Sequence, residues 1–178
     1  MSKYSHNPYT VVNNYVLDFL EQEEVMDKTI LIKGQAQPAM TPAGQTPELK
    51  DAASPTPERA PAFIVYSLEL NQDENKVYAD CETISYVIFS PKASKVMEIM
   101  YAIRDLFSHA DWSAQALNAQ IPEDKAYFHF LHTSFEQHEG PLPMEGEAGR
   151  FAGVVEVTYD YVKPIVSTPG APKQGMRE

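Results

Sequence analysis

The stretch Val154–Val162, VVEVTYDYV, constrains the fold more than any other. Its residues alternate with the period of a β-strand. Val155, Val157, Tyr159 and Tyr161 share one face, and Glu156, Thr158 and Asp160 share the other. Such a strand needs a sheet with one covered apolar face and one face left for water, a cation or a partner. The chain enters it through EGEAGR, an acidic, glycine-hinged tip carrying Glu145, Glu147 and Arg150. The pattern predicts that the four alternating apolar and aromatic side chains are buried and that Glu145, Glu147, Glu156 and Asp160 are exposed.

Upstream, NPYTVVNNYVLDFLEQEE reads as a helix. Asn7 is a candidate cap, Pro8 suits the first turn, and Val12, Tyr15, Val16 and Phe19 form a stripe widened by Leu20. Glu21, Glu23, Glu24 and Asp27 crowd its C-terminal end, where the helix dipole disfavours acids unless cations lie nearby. KTILIK predicts a short strand. Gly34–Pro61 then contains Pro38, Pro42, Pro47, Pro55, Pro57 and Pro61 and no aromatic residue, so it predicts a long surface insertion with no stripe to build a core.

AFIVYSLEL and TISYVIFS predict strands joined by a turn at NQDENK, the second apolar enough to be buried on both faces. SKVMEIMYAIRDLFSHAD is the strongest helical pattern, with Val96, Ile99, Met100, Ile103 and Phe107 on one face, Leu106 beside them and Ser94 as candidate cap. AYFHFLHTSF predicts another strand, EQHEGPLPMEGEAGR a loop, and Phe151–Val162 the last strand. The order α-β-β-β-α-β-β predicts an α+β fold, a mostly antiparallel sheet with two helices packed on one face. It forms one domain over residues 1–166, with 34–61 as its insertion and 167–178 as a mobile tail.

The 178 residues carry a net charge of −11, which opposes ordinary nucleic-acid binding but suits a passage that DNA traverses without sticking. The apolar runs are too short to span a bilayer, and the opening residues predict no signal peptide. Cys81 is the only cysteine, so no intrachain disulfide forms, in keeping with a reducing compartment.

No phosphate loop, dinucleotide fingerprint, nucleophile elbow or zinc-protease motif is present in the sequence. His129 and His132 lie three apart on a predicted strand, so strict alternation sends them to opposite faces. His109 and Asp111 close the long predicted helix. Glu156 and Asp160 are about 13 Å apart on a strand, too far to share a ligand. These readings predict no catalytic residue, metal or cofactor, and they favour an ion pair for Arg150. Trp112, the lone tryptophan, suits either a helix anchor in the core or an interface anchor.

The run ISYVIFSPKASKVMEIMYAIRDLF, then DWSAQALN, FHFLHTSF, a loop and EAGRFAGVVEVTYDYV resembles the tail terminators, or tail-completion proteins, of long-tailed bacteriophages, over roughly residues 62–162. The likeness lies in the order of the elements and in the GRF entrance to the last strand. The proline-rich insertion departs from it. The resemblance implies a virion protein of the tail and neck, assembled in the host cytoplasm. Terminators cap the last tail-tube ring as a homo-hexamer, present a surface to the head connector, and let DNA pass through the lumen. It implies the tube protein and a neck protein as partners, with a tail sheath as a further candidate and no membrane. Glu145, Glu147, Arg150, Glu156, Asp160 and Trp112 become candidates for subunit contacts or lumen lining. Two other classes stay open: a small cytoplasmic enzyme using loop carboxylates with His132 or His138, and a binding module that uses its sheet edge.

Overall fold

A computed structural model describes residues 5–71, 79–108, 110–125, 127–144 and 150–163. The turn at 72–78, the tip at 145–149 and the segment 164–178 lie outside them, and with these the expectations for Glu145, Glu147 and the tail.

Helix α1 spans Pro8–Gln22, with Asn7 Oδ1 accepting from Thr10 N–H and Pro8 in the first turn. Val12, Val16 and Leu20 are fully buried, as the stripe predicts, while Tyr15 and Phe19 are half-buried at its margin. Cations do meet some of the acids in its last turns and just beyond them. Lys28 pairs with Asp18 and Glu21. Arg59 Nη1 reaches Asp27 at 2.7 Å.

Strands β1 (Thr29–Ile32) and β2 (Gln35–Pro38) form a hairpin through Lys33 and Gly34, with φ of +51° and +79°. Two successive left-handed residues make the turn whose twist matches a two-residue hairpin, and glycine takes that conformation without strain. β3 (Met40–Pro42) and β4 (Ala52–Ala53) follow. The proline-rich stretch is therefore more than a surface loop. Ala39 and Met40 are buried, β4 pairs with β1, and β3 pairs in parallel with the main sheet. The expectation of no core contribution fails because short strands can bury single small or flexible side chains without a periodic stripe. Asp27 ties down the remainder, accepting from Ser54 Oγ at 2.7 Å, Thr56 Oγ1 at 3.2 Å and Arg59.

β5 (Phe63–Asn71) and β6 (Asp80–Ser90) pair without a register break. Helix α2 (Ala93–Phe107) buries Val96, Ile99, Met100, Ile103 and Phe107, all five as its stripe predicts. Its cap is Lys92 without a side-chain bond, so Ser94 lies inside the first turn rather than capping it. A third helix, α3 (Ala110–Ala119), follows where the sequence suggested only an anchor for the long helix. β7 (His129–Pro143) and β8 (Phe151–Val162) complete the chain. β7 runs through most of the expected loop, absorbing Gly140, Pro141 and Pro143 at register shifts after Gln137 and Glu139.

The main sheet has the order β3-β5-β6-β8-β7, antiparallel except for β3 with β5. A smaller antiparallel sheet has the order β2-β1-β4. The fold is α+β, with three helices on one face of the main sheet. Asn13 of α1 accepts from the buried Tyr86 hydroxyl of β6 at 2.7 Å. Val96 and Met100 of α2 lie so close over Gly153 of β8 that a Cβ there would sit 2.8 and 2.6 Å from their side chains. Asn118 of α3 bonds the β7 backbone at Phe130. β6 is consequently sealed on one face only. Glu82, Ile84, Tyr86, Ile88 and Ser90 are buried, whereas on the other face Thr83 is buried but Ser85, Val87 and Phe89 are half-buried, so the expected burial on both faces holds only in part.

Candidate functional site

β8 divides as its alternation predicts on the helix side. Val155 and Val157 are fully buried, Tyr159 is 1% exposed and Tyr161 5%. The opposite face carries polar rows across four strands. Glu156 stands opposite Ser85 of β6 and Glu136 of β7, and Ser67 of β5 continues the row. Thr158 stands opposite Thr83, their hydroxyls 2.9 Å apart, and Ser134. Asp160 stands opposite Cys81 and His132. This face therefore gathers Glu136, Glu156 and Asp160 with hydroxyl groups between them.

The sequence reading expected Glu156 and Asp160 to be exposed, and the structure corrects this. Glu156 and Asp160 are half-buried, and with Glu136 each interacts with another residue of the chain. Neighbouring strands in a sheet shade side chains even where no second layer covers them, which single-strand alternation cannot anticipate. The register shift between Phe130 and His132 also breaks the alternation that separated His129 from His132. His129 Nε2 lies 3.4 Å from the Asn118 side-chain nitrogen, and no group of three or more metal-ligating side chains occurs among the described residues.

Trp112 is 76% exposed on α3, so it does not anchor the core. Ser113, Ala114 and Leu117 turn inward instead. Arg150 is half-buried, interacts within the chain, and its carbonyl accepts from Met144 N–H at 3.0 Å. It borders a groove of about 590 Å³ floored by Ile30, Phe63 and Phe89 and walled by Leu49 and Met144. The groove lies between the small sheet and the Met144–Arg150 end of the β7–β8 hairpin, where the two strands are connected.

Sequence reading missed a buried carboxyl. Glu82 is 6% exposed and accepts from the Tyr159 hydroxyl at 2.6 Å and the Tyr161 hydroxyl at 2.7 Å. Burial, then the nearby Glu82 carboxyl, raises both tyrosines well above the ordinary phenol range. Phe128 and Phe130 pack edge-on against these rings. The parity of Glu82 with Ile84, Tyr86 and Ile88 was the signal available in the sequence. With both tyrosine protons directed at one carboxyl, the arrangement locks β6 to β8 and closes the core.

No family model matches the chain, and no curated protein matches it. Among the described residues no helix is long and apolar enough to cross a membrane.

Proposed function

We propose that the protein is a structural virion subunit. It is a tail terminator that caps the tail tube of a long-tailed bacteriophage as a homo-hexameric ring and joins it to the head connector. DNA passes through the lumen without specific binding. The observation that carries this reading is the division of one sheet into a face sealed by three helices and an open face bearing Glu136, Glu156 and Asp160. A subunit that borders a DNA passage needs a surface of this kind, because acids repel phosphates and keep the duplex from adhering. The net charge of −11 agrees in sign. The element order, with a long last strand preceded by an acidic tip, agrees with the terminators the sequence resembles. Trp112 and the Arg150 groove are the candidate contacts with neighbouring subunits, the tube protein and the neck. The protein acts through assembly and carries no catalytic centre in this reading.

The test is to mix the purified chain with tail tubes and follow tube ends by negative-stain microscopy. A ring at one end and arrested tube growth are expected. Rings carrying Glu156→Lys and Asp160→Lys should slow DNA ejection, most at low ionic strength where phosphates are least screened. Tubes that keep growing would refute the capping role. Normal ejection by the Lys variants at low salt would reduce the acidic face to a solvated surface.

A further inference from the structure

The two edges of the main sheet are finished differently. β7 is guarded. The Asn118 side chain accepts from Phe130 N–H at 2.7 Å and donates to its carbonyl at 2.9 Å, so an amide stands where another strand would. Three register shifts and Pro141 and Pro143 interrupt the rest. β5, at the other side, is guarded only in its first half, where β3 pairs with Ile64, Val65 and Tyr66. Ile64 N–H donates to Ala39 and the Tyr66 carbonyl accepts from Ala43, so the even-numbered residues direct their backbone groups outward. Leu68 and Leu70 continue that series past the end of β3, and no described strand lies beside them. Their side chains are 37% and 68% exposed, and neither lysine, proline nor bulge blunts Ser67–Leu70.

We propose that this edge accepts Ile165–Thr168 of a second copy of the chain as an added antiparallel strand. The inference deepens the ring reading, which supplies the neighbouring copy. Two other occupants fit worse. If β5 of a second copy paired here, the register that uses the outward groups of both leucines would set Leu68 against Leu70 and place Glu69 directly opposite its own counterpart, like charges about 4.5 Å apart by Cα, whereas setting Leu68 against Leu68 separates the glutamates but turns Leu70 toward Tyr66, whose carbonyl already accepts from Ala43. If the chain's own segment folded back, it would first cross three strand spacings. β8 ends at the same end of the sheet as β5, with Asn71, Cys81 and Asp160 in one row. Crossing about 14 Å takes four or five extended residues and brings Pro169–Pro172 to the edge, where prolines cannot donate. Ile165, Val166, Ser167 and Thr168 keep every N–H, favour extended backbone and bring no acid to Glu69.

The test uses full-length chains in a Cys81→Ala background, one preparation carrying Leu70→Cys and the other Val166→Cys, mixed and oxidised. The expected result is a disulfide-linked heterodimer on a non-reducing gel as the main product. It should be lost when Ser167→Pro, which lies beyond the described fold, is added to the second chain. Tyr101→Cys on the exposed face of α2 replaces Leu70→Cys as control. A yield no greater than the control, a product dominated by Leu70→Cys homodimers, an intrachain bond alone in the double variant, or persistence with Ser167→Pro would overturn the proposal. The same gel run on tube-capping rings separates the two readings: rings without the cross-link end the strand exchange and leave capping intact. A cross-link without capping supports the exchange and ends the terminator reading.

Discussion

The two faces of the main sheet are made by the same strands yet follow different rules. On the helix face, β6 and β8 place Ile84, Tyr86, Ile88, Val155, Val157 and Tyr159 at 0–1% exposure beneath three helices. On the open face the residues directly between them in sequence are Ser85, Val87, Glu156 and Thr158, all half-buried. Apolar burial fixes which residue types the first face accepts, since a lost methyl group leaves a cavity there. The second face has no helix over it and is covered only at its Phe63–Phe89 end, beside Ile30 of the small sheet; elsewhere its polar side chains interact with neighbours in the chain while remaining partly open to solvent.

This contrast can be broken or sharpened by substitution. Val157→Ala on the helix face should lower stability most, by about 2–4 kcal/mol in chemical unfolding, because the cavity lies under packed helices. Gly153→Ala should cost about 1–3 kcal/mol, since Val96 and Met100 must yield to the new methyl group. Tyr159→Phe should cost about 1–3 kcal/mol by leaving Glu82 with one hydroxyl fewer in a buried setting. The smallest effect should come from Glu156→Gln and Asp160→Asn, at about 0–1 kcal/mol each. A loss as large as that of Val157→Ala would show that the open-face acids are structural and remove their availability for assembly.

Alkaline titration reads the same boundary. Burial raises the folded pKa values of Tyr86, Tyr159 and Tyr161 above the ordinary phenol value of about 10. The folded state therefore holds these protons more tightly than the unfolded chain. Their contribution is complete below about pH 10 and is lost as pH rises beyond it, by up to about 1.4 kcal/mol per pH unit for each group. The unfolding midpoint should fall above that pH, and Tyr159→Phe should make the fall shallower. An unchanged slope would contradict the burial of this hydroxyl.

The helix face was legible because it obeys a period. The stripe of α2 and the alternation of β8 name their buried residues, while the stripe of α1 finds Val12, Val16 and Leu20 but misses the buried Val11 and Asn13. α3 was missed because its inward residues, Ser113, Ala114 and Leu117, are mostly small or polar and its one large aromatic, Trp112, points out. The length of β7 was hidden by Gly140, Pro141 and Pro143, which read as a loop but are tolerated on a sheet edge with register shifts. Ala39 and Met40 escaped notice because burial within 34–61 is by isolated residues. For the candidate site, the sequence placed Glu156 and Asp160 on one face but gave no sign of Glu136 opposite Glu156, a neighbour that only the β7–β8 register supplies.

The central claim is that this chain works as a ring at the junction of tail and head. Electron microscopy of virions labelled with antibody against the chain tests it most directly. The account predicts label at the head–tail junction, and in averaged images a six-fold ring between tube and connector with the β7–β8 side toward the lumen. Tails joined to heads with no label at the neck, and the chain left unassembled in the lysate, would contradict it.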